Sequence, residues 1–143
     1  MSNIGVGIIG CGGIALQNHL PGLELCADTK LVGLCDNSDQ VLDKAVKQTG
    51  VGVYTTDYKN LVQRDDIHAV IIATPNVTHS PMAIEAMLNG KHVLCEKPLG
   101  MDQKETLQML NCARENKVRH MTAFTYRFVP AMRYMKHLVD TGA

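Results

Sequence analysis

The sequence of 143 residues contains no tryptophan, and aromatic residues make up 4% of it. It also lacks an excess of charge of either sign, since 14 basic residues match 14 acidic ones. Proteins that bind nucleic acid or anionic membranes use clustered positive charge, and single strands are often held by aromatic stacking. The composition therefore argues against a nucleic-acid or membrane partner.

Long apolar runs and cysteine motifs are also missing. No stretch reaches the roughly 18 consecutive apolar residues of a transmembrane helix. The five cysteines show no C-x-x-C spacing and mostly lie in apolar runs. This indicates reduced core thiols in a cytoplasmic protein. The six histidines are scattered without ligand spacing, so we expect no bound metal.

Apolar strand patterns alternate with helical patterns along the chain. Strands are predicted at residues 6–9, 31–36, 51–54, 67–73, 92–95 and 120–125. This alternation predicts an α/β fold with a doubly wound parallel sheet. The length fits one domain with a substantial core, and we assign residues 1–143 to it.

Capping residues predict several helix ends. Ser38 and Gly50 should bound one helix, and Ser80-Pro81 and Gly90 another. The first helix is expected to run from Gly13 to about Asn18, before an interruption at Pro21-Gly22.

Two later helices are also predicted from the sequence. Asp102 and Glu105 form a capping box for a helix whose inward face is expected to be Leu107, Leu110 and Ala113. Pro130 should begin the last helix.

A glycine-rich stretch, VGIIGCGGIA, joins the first strand to the first helix. The literal pattern G-x-G-x-x-G matches Gly5, Gly7 and Gly10. Gly5 and Gly7 lie inside the strand, however, where no phosphate could reach them. Shifted to the turn, residues 10–15 read G-x-G-x-x-A, a pattern that holds a pyrophosphate at a helix N-terminus.

The shifted register gives each small residue of the turn a role. Gly10 would allow the tight turn, and Gly12 would allow the close approach of a pyrophosphate. Ala15 would let the helix pack against the strand. A glycine motif alone is weak evidence, so its partners further along the chain matter.

Asp36 ends the second predicted strand, 24 residues after Gly12. An acid about 20 residues beyond the glycine turn commonly binds the ribose hydroxyls of a dinucleotide. Its carboxylate would repel a 2′-phosphate, and Asn37 and Ser38 supply no cation to offset this. NAD is therefore expected to be favoured over NADP. The alternative is that Asp36 only begins the next turn.

Two tripeptides follow the fourth and fifth predicted strands. They are Thr74-Pro75-Asn76 and Glu96-Lys97-Pro98. Ligands of open α/β sheets bind outside the carboxyl ends of the strands. Both tripeptides therefore fall where a cofactor would lie.

These motifs together resemble the Gfo/Idh/MocA family of nicotinamide-dependent oxidoreductases, whose cofactor domain is a Rossmann fold. The matching stretches cover nearly the whole chain: GIIGCGGIA (7–15), VGLCD (32–36), ATPNVTH (73–79), GKHVLCEKPLG (90–100) and YRFVP (126–130). The string GKHVLCEKP, preceded by TPN-x-x-H, is far more specific than a glycine motif.

The resemblance implies that Lys97 is catalytic and lies beside the nicotinamide ring, with Glu96 near the nicotinamide ribose. Pro98 would form the turn that aims the lysine, with a cis Lys97–Pro98 bond as one possibility. Lys97 would share the proton of the substrate hydroxyl as hydride leaves its carbon. Without the motif, an exposed lysine in a β–α loop would be the simpler interpretation.

The resemblance also implies the remaining cofactor contacts. They are Gly10, Gly12, Gly13, Ile14, Asp36, Asn37, Thr74, Pro75 and Asn76. His79 would support the Thr74–Asn76 loop, although a histidine satisfied by backbone groups is equally open. Arg127 would approach the nicotinamide end, and a surface arginine is its alternative.

The implied function is the NAD-binding domain of a dehydrogenase that acts on a sugar, polyol or related substrate as a homo-oligomer. Family members are usually more than twice this length, so we expect a fragment with little turnover alone. Residues from about 121 would lead to an absent substrate domain and expose apolar residues, among them Phe124, Phe128, Met132 and Met135. A non-catalytic NAD(H) sensor is the alternative, and an S-adenosylmethionine-dependent methyltransferase ranks last.

Overall fold

The computed structural model describes residues 3–142 and is built on one parallel sheet. Its strands are β1 (Ile4–Ile9), β2 (Thr29–Cys35), β3 (Val53–Thr55), β4 (Ala69–Ile72), β5 (His92–Cys95) and β6 (His120–Thr122). Their order is β3-β2-β1-β4-β5-β6, and each neighbouring pair is parallel. The predicted doubly wound parallel sheet is confirmed.

Helices cover both faces of this sheet. They are α1 (Leu20–Glu24), α2 (Asp39–Thr49), α3 (Tyr58–Val62), α4 (His79–Leu88), α5 (Gln103–Glu115) and α6 (Pro130–Thr141). A π-helical segment, Ala15–His19, runs directly into α1. Within residues 3–142, no helix is long and apolar enough to cross a membrane.

The two faces of the sheet bury two separate apolar clusters, because successive strand residues point to opposite sides. On one face, Val6 and Ile8 pack with the π-helical segment, α1 and α2. On the other face, Ile9 and Ile72 pack with α3, α4 and α5. The central strand β1 is therefore buried on both sides, which explains its continuous apolar sequence.

Several predicted helix ends are confirmed. The Ser38 hydroxyl accepts the N–H of Val41 at the start of α2, and Gly50 ends that helix with a φ of 66°. The Asp102 carboxylate accepts the N–H of Glu105 at 2.8 Å. Glu105 itself reaches the N–H of Met101 rather than that of Asp102, so only half of the capping box forms.

The predicted interruption of the first helix at Pro21-Gly22 is wrong. Helical residues run without a break from 13 to 24. The N–H of Leu20 bonds to the carbonyl of Ala15, a π-type hydrogen bond, and Pro21 then lies in the first turn of α1. This π-type bond changes the hydrogen-bonding register just before Pro21, so a proline without an N–H fits inside the continuous helix.

The predicted start of α4 at Ser80-Pro81 is also wrong. The helix begins at His79, after a 3-10 turn over Asn76–Thr78, and Ser80 is buried inside its first turn. Pro81 therefore occupies a later position of that turn, where a missing N–H is still tolerated.

The inward face of α5 differs from the predicted one. Met109, Cys112 and Ala113 are buried, whereas Leu107 and Leu110 are 52% and 42% exposed. The helix carries two overlapping apolar stripes that share Ala113. The stripe formed by Met109, Cys112 and Ala113 faces α4, where the Cys112 thiol lies 3.9 Å from the carbonyl of Ile84.

The last segment leaves the sheet earlier than predicted. Strand β6 ends at Thr122, and a 3-10 turn over Thr125–Phe128 leads into α6. Exposure of the apolar residues named for this segment is confirmed: Phe124, Phe128, Met132 and Met135 are between 45% and 61% exposed. The α6 helix starts at Pro130 as predicted.

The five thiols differ sharply in exposure, and this difference can be tested. All five are free, and of these Cys26 is exposed while the other four are buried. Burial raises the pKa of Cys11, Cys35 and Cys95 to about 12, which suppresses the reactive thiolate. In mildly alkaline buffer, we expect Ellman's reagent to modify one thiol rapidly and all five after denaturation. Cys26→Ser should remove the rapid phase, and a rapid phase that survives this change would contradict the burial pattern.

Candidate functional site

The candidate site lies at the carboxyl edge of the sheet, between β1 and β4. The chain moves outward from β1 through β2 and β3 and then returns to β4 on the other side of β1. In open α/β sheets, the crevice at such a reversal of strand order is where ligands bind. The loops after β1 and β4 form its two walls.

The turn after β1 is built around Gly10. This residue has a φ of 89°, and its N–H donates to the Cys35 carbonyl at 2.8 Å. A Cβ at this position would lie 2.6 Å from the Ala73 carbonyl oxygen. Gly10 is therefore required by the turn and by the close approach of the β4 loop.

Gly12 differs from Gly10 in its surroundings. It is exposed, and a Cβ built on it would meet nothing within 4 Å. This open space lies at the start of the helical residues 13–24, where N–H groups lack intrahelical partners. The turn therefore fits a phosphate, which needs both space and unpaired N–H donors.

The literal glycine pattern can be separated from this turn. Gly5 and Gly7 are buried within β1, as predicted. A Cβ on Gly5 would lie 1.9 Å from the Asp66 carbonyl oxygen. These two glycines serve packing within the sheet.

Asp36 is joined to the glycine turn by backbone hydrogen bonds. Its Oδ2 accepts the N–H of Cys11 at 2.8 Å, and its Oδ1 accepts the N–H of Ser38 at 2.9 Å. The Cys11 side chain is buried beside it, and burial together with the Asp36 charge raises the pKa of the Cys11 thiol to about 12. Cys11 is therefore a neutral core thiol within the turn.

A cavity of about 340 Å³ brings six of the predicted cofactor residues together: Gly10, Gly12, Asp36, Asn37, Thr74 and Pro75. Its wall is completed by residues that the sequence analysis missed, among them Val41, Tyr58 and Met82. Gly13 lines a neighbouring depression with Lys44. Ile14 and Asn76 are exposed and do not line this cavity.

The Glu96-Lys97-Pro98 turn follows β5 at the same edge of the sheet. The Lys97–Pro98 bond is cis. Glu96 is 6% exposed, and its Oε2 accepts the N–H of Lys97 at 3.2 Å. Its Oε1 lies 2.9 Å from Nε2 of His19, a residue that the sequence analysis did not single out. The Lys97 side chain is exposed.

His79 lies inside the protein and not on the wall of the crevice. It is fully buried, with Nδ1 2.8 Å from the Pro98 carbonyl and Nε2 2.9 Å from the Thr74 carbonyl. This placement agrees with the predicted support of the Thr74–Asn76 loop, and the assignment of His79 to the cofactor site stays a prediction. The ring connects the two loops that carry the tripeptides, because both of its nitrogens face backbone oxygens.

Arg127 is not brought to this crevice. It lies in the 3-10 turn before α6 and lines a separate depression with Phe124 and Met132. The predicted approach of Arg127 to the nicotinamide end therefore stays a prediction.

The geometry agrees with comparisons to known proteins. Residues 4–124 match the family described as "Oxidoreductase family, NAD-binding Rossmann fold". The chain belongs to the Gfo/Idh/MocA oxidoreductase family. The predicted family and fold are thereby confirmed.

Similar members of this family include enzymes that act on sugars and polyols. Levoglucosan dehydrogenase of Pseudarthrobacter phenanthrenivorans is 33% identical over 100% of this chain and 38% of its own length. The 3-ketoreductase KijD10 of Actinomadura kijaniata, solved with NADP and TDP-benzene, has a TM-score of 0.91 at 31% identity. Scyllo-inositol dehydrogenase of Lactobacillus casei has a TM-score of 0.91 at 30% identity.

The coverage of these comparisons is unequal. The two solved structures match 99% of this chain, but the chain covers only 43% of KijD10 and 42% of the inositol dehydrogenase. The chain therefore spans about two-fifths of the length of these Gfo/Idh/MocA proteins.

The role of Asp36 in holding the glycine turn can be tested by stability. Asp36→Ala should lower the free energy of unfolding by about 1–3 kcal/mol, because two backbone N–H groups lose their acceptor. Urea denaturation followed by circular dichroism measures this change. Asp43→Ala, on the exposed face of α2, is the matched control and should stay within about 0.5 kcal/mol of the wild type. Equal stability of the two variants would contradict this role.

Proposed function

We propose that this chain binds NAD(P) in the crevice between β1 and β4 and forms the cofactor half of a sugar or polyol oxidoreductase. The observation that carries the proposal is the cavity that joins the glycine turn, Asp36 and the Thr74–Pro75 loop at the reversal of strand order. When bound, the nicotinamide would accept or donate a hydride. The residues of this chain would bind the cofactor and exchange the proton of the substrate.

In this proposal, different parts of the crevice hold different parts of the cofactor. The open space at Gly12 and the helix start receive the pyrophosphate. Asp36 and Asn37 face the adenosine ribose from the end of β2. Val41, Tyr58 and Met82 supply apolar surface for a flat base within the same cavity. Burying the flat aromatic base against this apolar surface is favourable, which supports placing the adenosine end of the cofactor here.

We further propose that Lys97 is the residue that shares the substrate proton. It is exposed and lies directly after the buried Glu96, at the carboxyl end of β5 next to β4. An ammonium group there can hydrogen-bond a hydroxyl or carbonyl oxygen and exchange its proton during hydride transfer. Thr74, Pro75 and Asn76, in the loop after β4, would line the cofactor between the glycine turn and Lys97.

The expected preference for NAD over NADP is not supported. A structure similar to this chain, KijD10, was solved with NADP. In this chain, both oxygens of Asp36 already accept backbone N–H groups, which offset part of its negative charge. We therefore propose NAD(P) binding without a preference for either form.

The substrate class and the assembly of this protein are proposals that are based on its relatives. Levoglucosan and inositol are the substrates that the names of two relatives indicate, so a hydroxyl-rich ring is the proposed substrate class. We propose that a substrate domain follows residues 121–143 and covers the exposed apolar side chains of that segment. A homo-oligomer and a cytoplasmic location remain parts of the same proposal.

Gly12→Ala tests the proposed cofactor site with little risk to the fold. A methyl group at Gly12 meets only open space, so stability should hold, while it occupies the space proposed for the pyrophosphate. We expect calorimetry to show NADH binding at least about tenfold weaker, which corresponds to about 1.4 kcal/mol. Gly10→Ala is the contrasting variant and should lose stability, because its methyl group would strike Ala73. Stabilisation of the wild type by S-adenosylmethionine but not by NAD or NADP would overturn the proposal.

Lys97→Met tests the proposed proton transfer. In the protein joined to its substrate domain, turnover should fall by about 10²–10⁴-fold, because the general acid–base group is removed. Cofactor affinity, measured by the change in NADH fluorescence, should stay nearly unchanged. Lys104→Met, on the exposed surface of α5, is the control. Undiminished turnover of Lys97→Met would contradict the proposed role of Lys97, whereas absence of turnover even in the wild type would favour the non-catalytic sensor.

A further inference from the structure

Glu96 is a buried carboxylate that needs a partner. Its side chain is 8% exposed, and that of His19, which it contacts at 2.9 Å, is 11% exposed. Burying a carboxylate is unfavourable unless it is hydrogen-bonded. Since an ionised carboxylate can only accept hydrogen bonds, Nε2 of His19 carries the hydrogen in this contact. The His19–Glu96 hydrogen bond therefore connects the first helix to the end of β5, with His19 as the donor.

The π-helical segment places His19 in this position. The N–H of Leu20 bonds to the Ala15 carbonyl, and both of these residues are buried against the sheet. A π turn adds a residue to a helical turn, and such turns are frequent at functional sites. Here the last residue of the segment is His19, next to the buried Leu20.

The link extends from the glycine turn to Lys97. The helix that carries His19 begins at the glycine turn, and Glu96 holds the N–H of Lys97 through its other oxygen. The backbone N–H of Glu96 also donates to the Ile72 carbonyl at 2.9 Å. The Glu96 carboxylate is thus held from two sides, by His19 and by the N–H of Lys97, while the Glu96 backbone is held by β4.

We propose that His19 is a positioning residue that acts through Glu96 to hold the nicotinamide end of the site. The inference rests on the proposed function, because it assigns the Glu96–Lys97 turn to the nicotinamide end of a bound NAD(P). His19 does not reach the crevice cavity formed by Gly12, Asp36 and Thr74. Its loss should therefore affect the nicotinamide end and spare the adenosine end.

Two amide variants separate this role from a general effect on packing. Glutamine can place its Nε2 donor where the histidine Nε2 lies, whereas the shorter asparagine ends near the position of Nδ1. Both are polar and fit inside the volume of the ring. His19→Gln should therefore restore the contact with Glu96, and His19→Asn should not. His137→Leu, on the exposed α6 helix, is the control.

The experiment compares two ligands on the 143-residue chain. NADH carries the nicotinamide, and ADP-ribose is the same molecule without it. For His19→Asn, we expect NADH affinity to fall about tenfold, the size of one hydrogen bond to a charged group. The affinity for ADP-ribose should stay within about twofold, as for a substitution remote from the ligand. His19→Gln and His137→Leu should match the wild type for both ligands, and the emission maximum of bound NADH should shift in His19→Asn alone.

Other results would overturn this role. Equal losses of affinity for both ligands in His19→Asn would show that His19 serves the fold or the adenosine end. Unchanged affinity for both ligands would show that Glu96 does not need His19 for its alignment. Failure of His19→Gln to restore binding would also count against it. If His19→Asn does not fold, Glu96→Ala removes the acceptor of the His19 N–H and repeats the comparison from the other partner, with the same loss expected for NADH alone. Lack of binding of either ligand to the wild type would instead contradict the proposed function.

Discussion

The structure depends on how closely the turn after β1 is held between the ends of β2 and β4. On the β2 side, the Gly10 N–H bonds to the Cys35 carbonyl and the Cys11 N–H to the Asp36 carboxylate. On the β4 side, Gly10 lies so close to Ala73 that no Cβ would fit. The turn is therefore fixed by the protein itself, and a ligand would find it already shaped. Such preorganisation reduces the ordering that binding requires.

The buried His79 and the partly buried His19 connect the other loops of the site to this frame. His79 spans the Thr74 and Pro98 carbonyls, and His19 reaches Glu96 from the first helix. Hydrogen-bonded polar groups inside a protein help to fix the segments that they join. The loops after β4 and β5 are thereby tied to each other and to the helix that starts at the glycine turn, while Lys97 remains exposed. This arrangement suits a site in which the reactive group must be accessible and its neighbours fixed.

Local patterns predicted much of the fold because their causes are local. The apolar run of β1, the Ser38 cap of α2 and the left-handed Gly50 each depend on a few neighbouring residues, and all three are confirmed. The inward face of α5 was predicted wrongly, because two apolar stripes share one helix and only packing against α4 selects between them. The same limit applies to the first helix. Its π turn accommodates Pro21, and the helix propensities of the residues do not indicate such a turn.

The doubly wound parallel sheet, the register of the glycine turn and the places of the two tripeptides after β4 and β5 could be predicted from the amino-acid order. They follow from periodicity, from capping residues and from motifs specific enough to point to one family. Which side chains meet is visible only in the folded domain: Asp36 with the glycine turn, His79 with two loops and His19 with Glu96. Three of these contacts join residues 19 to 77 positions apart, and each of the three depends on the sheet bringing strand ends together. No local pattern carries that information, since the partners are chosen by the packing of the whole domain.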